Sequence, residues 1–227
     1  MALSLNAPSA RRAVIVGLGA LPLVALGGCA TTMGRYSLEE GVRRLLELSS
    51  TRAFARLTQP GGFYDDQVTR IAVPDLGTQG GAILSAILRT NAVRGQVARA
   101  LNDVAVDLAD GAAPIVMDTV RSMSLADAVG VLRGGPTAAT DLLARNARGA
   151  VVEAVLPGAS RALQSDLFAV LAAALSASSG RNLTAMADNV SGQIGDAIFR
   201  AIGREESAIR ADPRATRDPV LIALLSV

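Results

Sequence analysis

The sequence predicts an all-α fold: a single multi-helix domain of about eight to ten helices, following a cleaved signal peptide. Three observations carry that expectation. Half of the 227 residues are hydrophobic but only 3% are aromatic, so the apolar content is Ala, Leu, Val and Ile, which suits closely packed helices better than a β-sandwich. From about residue 79 onward, apolar residues recur at helical spacing. Glycine and proline punctuate that pattern at Gly111, Gly134-Gly135-Pro136, Pro157, Ser178-Ser179-Gly180 and Asp212-Pro213.

The chain begins with a different pattern. Arg11-Arg12 precede about 14 apolar residues, Ala13 to Leu26, and then Gly27-Gly28-Cys29. A positive start, a short apolar run and small residues at a cleavage point are the order of a secretory signal. The run falls short of the roughly 20 residues that a membrane-spanning helix needs. Leu26-Gly27-Gly28-Cys29 resembles a bacterial lipobox, and the resemblance implies that Cys29 is lipidated and becomes the first residue after cleavage. The expected organisation is therefore a signal peptide over 1–28, a lipidated tether over 29–36 and a helical domain over 37–227. Several acyl chains, each contributing about 0.8 kcal/mol per buried methylene, would make the attachment stable. Ala30 stands where an aspartate would imply inner-membrane retention, so the analogy favours the outer membrane over the inner, with the domain in the periplasm. The arginine pair leaves general secretory and twin-arginine export both open.

Within the domain, Ser37-Leu38-Glu39-Glu40 reads as a capping box opening a first helix over 38–57, which Gln59-Pro60-Gly61-Gly62 stops. Residues 63–74 are the least helical part. They read as an ordered loop pinned by Phe63, Ile71 and Val73, or else as a short strand with no evident partner. Further helices are expected near 79–90, 93–110, 112–123, 125–133, 137–155, 158–175, 183–190, 191–211 and 218–225. Ser124-Leu125-Ala126-Asp127 is a second capping signature, with Asp127 at the positive end of its helix.

Composition excludes several chemistries. Without histidine there is no Ser-His-Asp triad, no Cys-His pair and no histidine-built metal site. A single cysteine closes no internal disulfide and builds no cysteine-rich metal centre. All basic residues are arginine, and removing 1–28 leaves 20 of them against 20 acids. A neutral domain with few aromatics lacks the electrostatic footprint of a nucleic-acid binder. No cofactor, metal or nucleic acid is expected.

The remaining candidates are carboxylates, hydroxyls and arginines. Asp103, Asp107 and Asp110 share one helical face beside Asn102, as a cation or acid–base site or as a solvated face with Arg99 offsetting repulsion. Glu205, Glu206 and Arg210 form a second cluster; Glu206 and Arg210 have ion-pair spacing, and burial would let the trio anchor the loop after Pro60 or bind a polar ligand. Gly134 to Thr140 opens a helix whose free amides could hold an anion, with Thr140 able to bond a neighbouring helix. Together Asn102, Asp103, Asp107, Asp127, Thr140, Glu206 and Arg210 are the candidate polar cluster, and Cys29 is the lipid attachment site.

Several stretches together resemble the DUF4197 family of bacterial proteins of unknown function. They are Gly61-Gly62-Phe63 with Ile71-Ala72-Val73-Pro74; Asn102 through Ala112-Ala113-Pro114 to Met123-Ser124-Leu125-Ala126-Asp127-Ala128 and Gly134-Gly135-Pro136-Thr137-Ala138-Ala139-Thr140; and Glu205-Glu206-Ser207-Ala208-Ile209-Arg210-Ala211-Asp212-Pro213. The resemblance spans about residues 38–225 and implies a helical envelope domain with no assigned reaction. Gly135-Pro136 replaces an acidic pair usual in that family, and the ending Leu-Leu-Ser-Val departs from it as well. The leading expectation is a non-catalytic structural or interaction module of the cell envelope, held to a membrane by its lipid and meeting an envelope protein. The alternatives are a binding protein for a small apolar or lipid-like ligand and, third, a histidine-free enzyme working through carboxylates.

Overall fold

The computed structural model describes residues 27–73, 90–168 and 181–226. Six α-helices lie among them: α1 (Gly27–Leu57), α2 (Asn91–Ser122), α3 (Ala128–Arg133), α4 (Ala138–Leu163), α5 (Arg181–Ala211) and α6 (Pro219–Leu225). Two 3-10 turns, Asp166–Phe168 and Pro213–Thr216, complete the set, and the described residues contain no strand. The fold is all-helical, as expected, and among the described residues the helices are fewer and longer than the expected ones. The expected helix at 79–90, the end of the one at 158–175, Ser178-Ser179-Gly180 and the signal sequence before Gly27 lie outside the described residues.

The lower count has a physical reason. Gly111 and Pro157 were expected to separate helices, yet each sits inside one, and Pro114 lies inside the same helix as Gly111. A proline in a helix interior loses one hydrogen bond and crowds the carbonyl four residues earlier. Here both prolines, and the residues four before them (Asp110 and Glu153), face solvent. The freed carbonyls can be hydrated, while Ala109, Ala112 and Val116 on one helix and Val155 and Ala159 on the other keep the opposite face buried. Likewise the expected 183–190 and 191–211 helices are one, because Gly192 and Gly195 only lower helix propensity, whereas flanking Val190 and Ile194 are buried.

α1 also departs from expectation. It starts at Gly27, so Ser37-Leu38-Glu39-Glu40 lies within a helix instead of opening one, and the backbone of 30–36 is part of that helix. No proline falls between Pro22 and Pro60 to stop the helix from extending upstream. At the second capping signature the cap is Asp127 and not Ser124: its carboxylate accepts from the Gly130 amide at 3.0 Å, and α3 starts one residue later.

The four long helices close a ring in which α4 packs on α5 and α2, and α1 packs on α5 and α2 in turn. α4 and α5 run antiparallel: Gly203 lies against Thr137 and Thr140, and Gly195 against Val151 and Val152. The buried row of α4 is Ala139, Leu143, Ala147, Val151, Val155, Ala159 and Leu163, a strict four-residue repeat. Such a row drifts around the helix by about 40° per step, which lets one helix serve two neighbours. Alanine at three of these seven positions, with Gly158 against Leu108 and Gly203 against Thr137, sets a close interhelical approach. α6 docks beside α1, where Leu224 meets Gly41 and Asp218 pairs with Arg44 at 3.1 Å. Asp218 is also the α6 N-cap; burial pushes its pKa up, but the Leu221 and Val220 amides and Arg44 outweigh that and hold it low.

Residues 58–73 run from the end of α1 along α5 without regular structure, as expected of an ordered loop. Phe63, Ile71 and Val73 are its buried pins. Arg200 donates to the Val68 carbonyl, and Gln193 meets Ala72 through both amide groups.

Candidate functional site

α5 carries the two polar centres of the molecule on adjacent residues. Neighbours in a helix point about 100° apart, so Glu205 and Glu206 serve different partners. Glu206 is fully buried and turns toward α4. Its carboxylate accepts from the Ala139 amide at 3.0 Å and the Thr140 amide at 2.7 Å. These are second and third amides of α4, the ones an N-cap side chain normally satisfies. Thr137, at the cap position, makes no such bond and turns its hydroxyl to Asp141 instead. The cap is supplied from another helix.

Arg210, one turn further on, donates Nε to Glu206 at 2.8 Å. Its two remaining nitrogens donate to the carbonyls of Leu132 and Val131, each at 3.1 Å. Those carbonyls belong to the last turn of α3, where orphan acceptors collect. The Glu206–Arg210 pair thus caps the end of α3 and the start of α4 with the sign each helix terminus favours, and spans the Gly134–Thr137 turn between them. The anion expected at the α4 N-terminus is the chain's own carboxylate. Thr140 contributes its amide to this clamp, whereas its hydroxyl is buried without a partner rather than bonded to a neighbouring helix.

The other candidates separate. Asn102 is buried; its Oδ1 accepts from the Ile71 amide at 2.8 Å, and its Nδ2 donates to the Ile71 carbonyl at 3.0 Å. It acts as a substitute strand, pairing both backbone groups of one loop residue. Asp103 and Asp107 are exposed on another face of α2, and Asp127 is exposed at its cap, so none of the three joins Asn102 or Glu206. Arg99 does not pair with Asp103; its guanidinium lies over the Tyr64 ring at 5.4 Å, with Arg70 at 4.7 Å. Among the described residues no group of acidic or cysteine side chains is arranged to hold a metal ion.

Glu205 faces the opposite side of α5, onto a cleft of about 620 Å³ between the end of α1, the Pro60–Gln67 loop and α5. Of the trio expected to anchor the loop after Pro60 or bind a polar ligand, Glu205 alone lines this cleft, while Glu206 and Arg210 turn to α3 and α4. The cleft's charged lining is Arg56, Asp65, Asp66, Arg204 and Glu205. Arg56 pairs with Glu205 at 3.0 Å, and Arg204 pairs with Asp66 across the opening. Gly62 turns the loop hard against α1: a β-carbon there would stand 2.4 Å from the Arg56 carbonyl and 2.5 Å from that of Leu57. Gly61 adopts φ +79°, open to glycine without strain. The Pro-Gly-Gly breaker was legible, and Glu205 was a candidate anchor for the loop after it; Arg56, Asp66 and Arg204 had no local signal.

The Arg204 hydrogen bond holds the Asp66 carboxyl below the usual carboxylate range; burial pushes the other way, and the Val68 amide adds to the lowering. A carboxyl whose pKa falls on folding stabilises the native state above its unfolded value, about 3.9, and loses that contribution as pH drops through the folded value. Asp66→Asn is therefore expected to lower stability at neutral pH and to flatten the acid limb below about pH 4. Urea midpoints measured from neutral to acid pH check this, and parallel curves for the two proteins would refute it.

The architecture of the described residues defines a class: an all-helical ring of four long helices, tied by a two-ended capping clamp and opening on a polar cleft. The family model described as "Protein of unknown function (DUF4197)" matches residues 32–225, and the chain belongs to that family. No curated protein and no solved structure matches it.

Proposed function

We propose that the chain is a lipoprotein domain of the bacterial periplasm, tethered through Cys29 to a membrane, the outer rather than the inner, and acting there as a non-catalytic structural or interaction module. The observation that supports this reading best is how the polar side chains are spent. Asn102, Asp127, Glu206 and Arg210 bind the chain's own backbone. Asp103 and Asp107 stand exposed and apart from Glu206. These are the groups that the sequence singled out for an acid–base centre, and they do not converge; of the carboxylates that do share the cleft, Glu205 is paired with Arg56 and Asp66 with Arg204. A carrier of apolar or lipid-like ligands calls for an enclosed apolar cavity, whereas the cleft sets five charged side chains among Ala53, Leu57, Pro60 and Ala201. No described helix is long and apolar enough to cross a membrane, so on this reading the attachment falls to the lipid.

Mass analysis of the amino terminus, on protein expressed in a bacterium with its own leader, tests the anchor. The expected species begins at Cys29 and carries the mass of acyl chains, and Cys29→Ser is expected to leave the acylated membrane fraction. An unmodified amino terminus at any other residue would overturn the anchor. Native mass spectrometry with extracted envelope lipids tests the module: a retained lipid would favour the carrier, a retained protein the interaction role.

A further inference from the structure

We propose that α6 is a latch: a seven-residue unit that unhooks from α1 as a whole, hinged at Arg217, while the four long helices stay folded. The proposal goes beyond the envelope-module reading and holds whether or not Cys29 carries a lipid.

The places where α6 is held carry the argument. The 3-10 turn before it packs on α5, whereas α6 itself rests on α1. Three contacts make that seat. Leu221 is fully buried. Leu224 lies over Gly41, where a β-carbon would overlap its Cδ2. Asp218 takes one arm of the Arg44 guanidinium at 3.1 Å, while Arg44 Nε stays with Glu40 of its own helix at 3.2 Å. The rest of the apolar run, Val220, Ile222 and Leu225, is only half-buried. A helix this short is marginal in water by itself, so α6 keeps its form while it is seated and loses it when released.

The hinge opposes the seat. Arg217 has φ +58° and is, among the described residues, the one non-glycine residue at positive φ. For an L-residue that conformation weighs against closure by roughly tenfold. Strain of this kind persists only where surrounding contacts enforce it, and it collects at switch segments. The turn on the α5 side is self-contained: the Arg217 amide donates to the Arg214 carbonyl at 3.2 Å, and the Asp218 amide to the Thr216 hydroxyl at 3.1 Å. Beyond it, one carboxylate serves two purposes. Asp218 Oδ1 accepts from the Val220 amide at 2.8 Å and the Leu221 amide at 3.2 Å, and Oδ2 meets Arg44. The group that starts α6 is therefore also the group that fixes it to α1. Losing either contact weakens the other, which couples opening of the seat to melting of the helix. A fraying end behaves differently, since it opens residue by residue from its terminus. Release uncovers the α1 surface at Gly41 and Arg44 and frees the chain from Pro219 onward.

Hydrogen exchange of the purified full chain, followed by NMR in low denaturant, tests the latch. The Leu221, Ile222 and Leu225 amides are expected to exchange through one common opening, roughly a hundredfold or more above amides in the middle of α4 and with little dependence on denaturant. Arg217→Gly relieves the hinge and is expected to reduce that opening a few-fold. Gly41→Ala crowds Leu224 and is expected to raise it a few-fold. The same variant should leave the urea midpoint of the bundle unchanged or higher, because alanine is the better helix former in α1. Four results overturn the proposal: a graded loss in which Leu225 opens well before Leu221, exchange of α6 only by global unfolding, an Arg217→Gly opening equal to or above the parent's, and a Gly41→Ala midpoint that falls together with α6 protection. The parent and Arg217→Gly keep the test decisive even if Gly41→Ala does not fold.

Discussion

Glu206→Ala is expected to cost about 3–5 kcal/mol of folding stability, the range for removing one partner of a buried ion pair. The loss is large because three donors depend on this carboxylate at once. The Ala139 and Thr140 amides would be left at a buried helix start, with no cap from Thr137 to replace it. Arg210 would keep its charge and the carbonyls of Val131 and Leu132 but lose its only described anion. Against a typical stability of 5–15 kcal/mol, such a loss leaves a marginal protein. Glu206→Gln retains one acceptor oxygen and is expected to lose less, about 1–3 kcal/mol. Urea unfolding of the three proteins gives the comparison. An alanine variant within about 1 kcal/mol of the parent would mean that water replaces the carboxylate and the clamp is not structural.

The clamp also shows how far the sequence could be read. Glu206 and Arg210 were visible as an ion pair by their spacing, and Gly134–Thr140 as a helix start with free amides. That each completes the other is a fact of tertiary packing between residues more than 60 positions apart, and one sequence offers no signal for it. The all-helical class was legible because alanine, leucine and valine recur on one face regardless of where that face docks. Helix ends were less so: the break read at Gly111 falls inside α2, and Pro157 sits in α4 because its freed carbonyl faces solvent, an exposure that depends on the assembled bundle. The loop pins were legible from apolar character alone, as Phe63, Ile71 and Val73 stand out in a polar stretch. Asn102 drew attention beside Asp103, but its neighbours in sequence pointed to the wrong face: Asn102 looks inward at Ile71, and the aspartates look out. Arg56, Arg204 and Asp66 gave no sign, since lone charges on helices and loops are usually solvated.

Phe63→Ala is the second large effect, about 3–5 kcal/mol, and it links the core to the cleft. Phe63 is fully buried and follows directly on Gly62, whose close contact with α1 fixes the turn. The loop around it has little regular hydrogen bonding: the Gly62 amide donates to Gln59, Asp65 to Gly61, and Thr69 and Arg70 to Asp66. Its hold on the bundle is therefore the buried Phe63 ring with Ile71 and Val73, the Asn102–Ile71 pair and its ties to α5. Removing the ring leaves a cavity that α1 and α5 cannot close without moving the wall that carries Asp65 and Asp66. The loss should therefore be uneven. Hydrogen exchange is expected to show Gly62, Asp65, Thr69 and Arg70 losing protection well before amides in the middle of α4, because local opening draws on segments with few buried contacts. Phe63→Leu keeps most of the volume and is expected to cost less than half as much. If the alanine variant instead lost protection uniformly, the loop would be a full member of the cooperative core, and the cleft wall would be as rigid as the helices beside it.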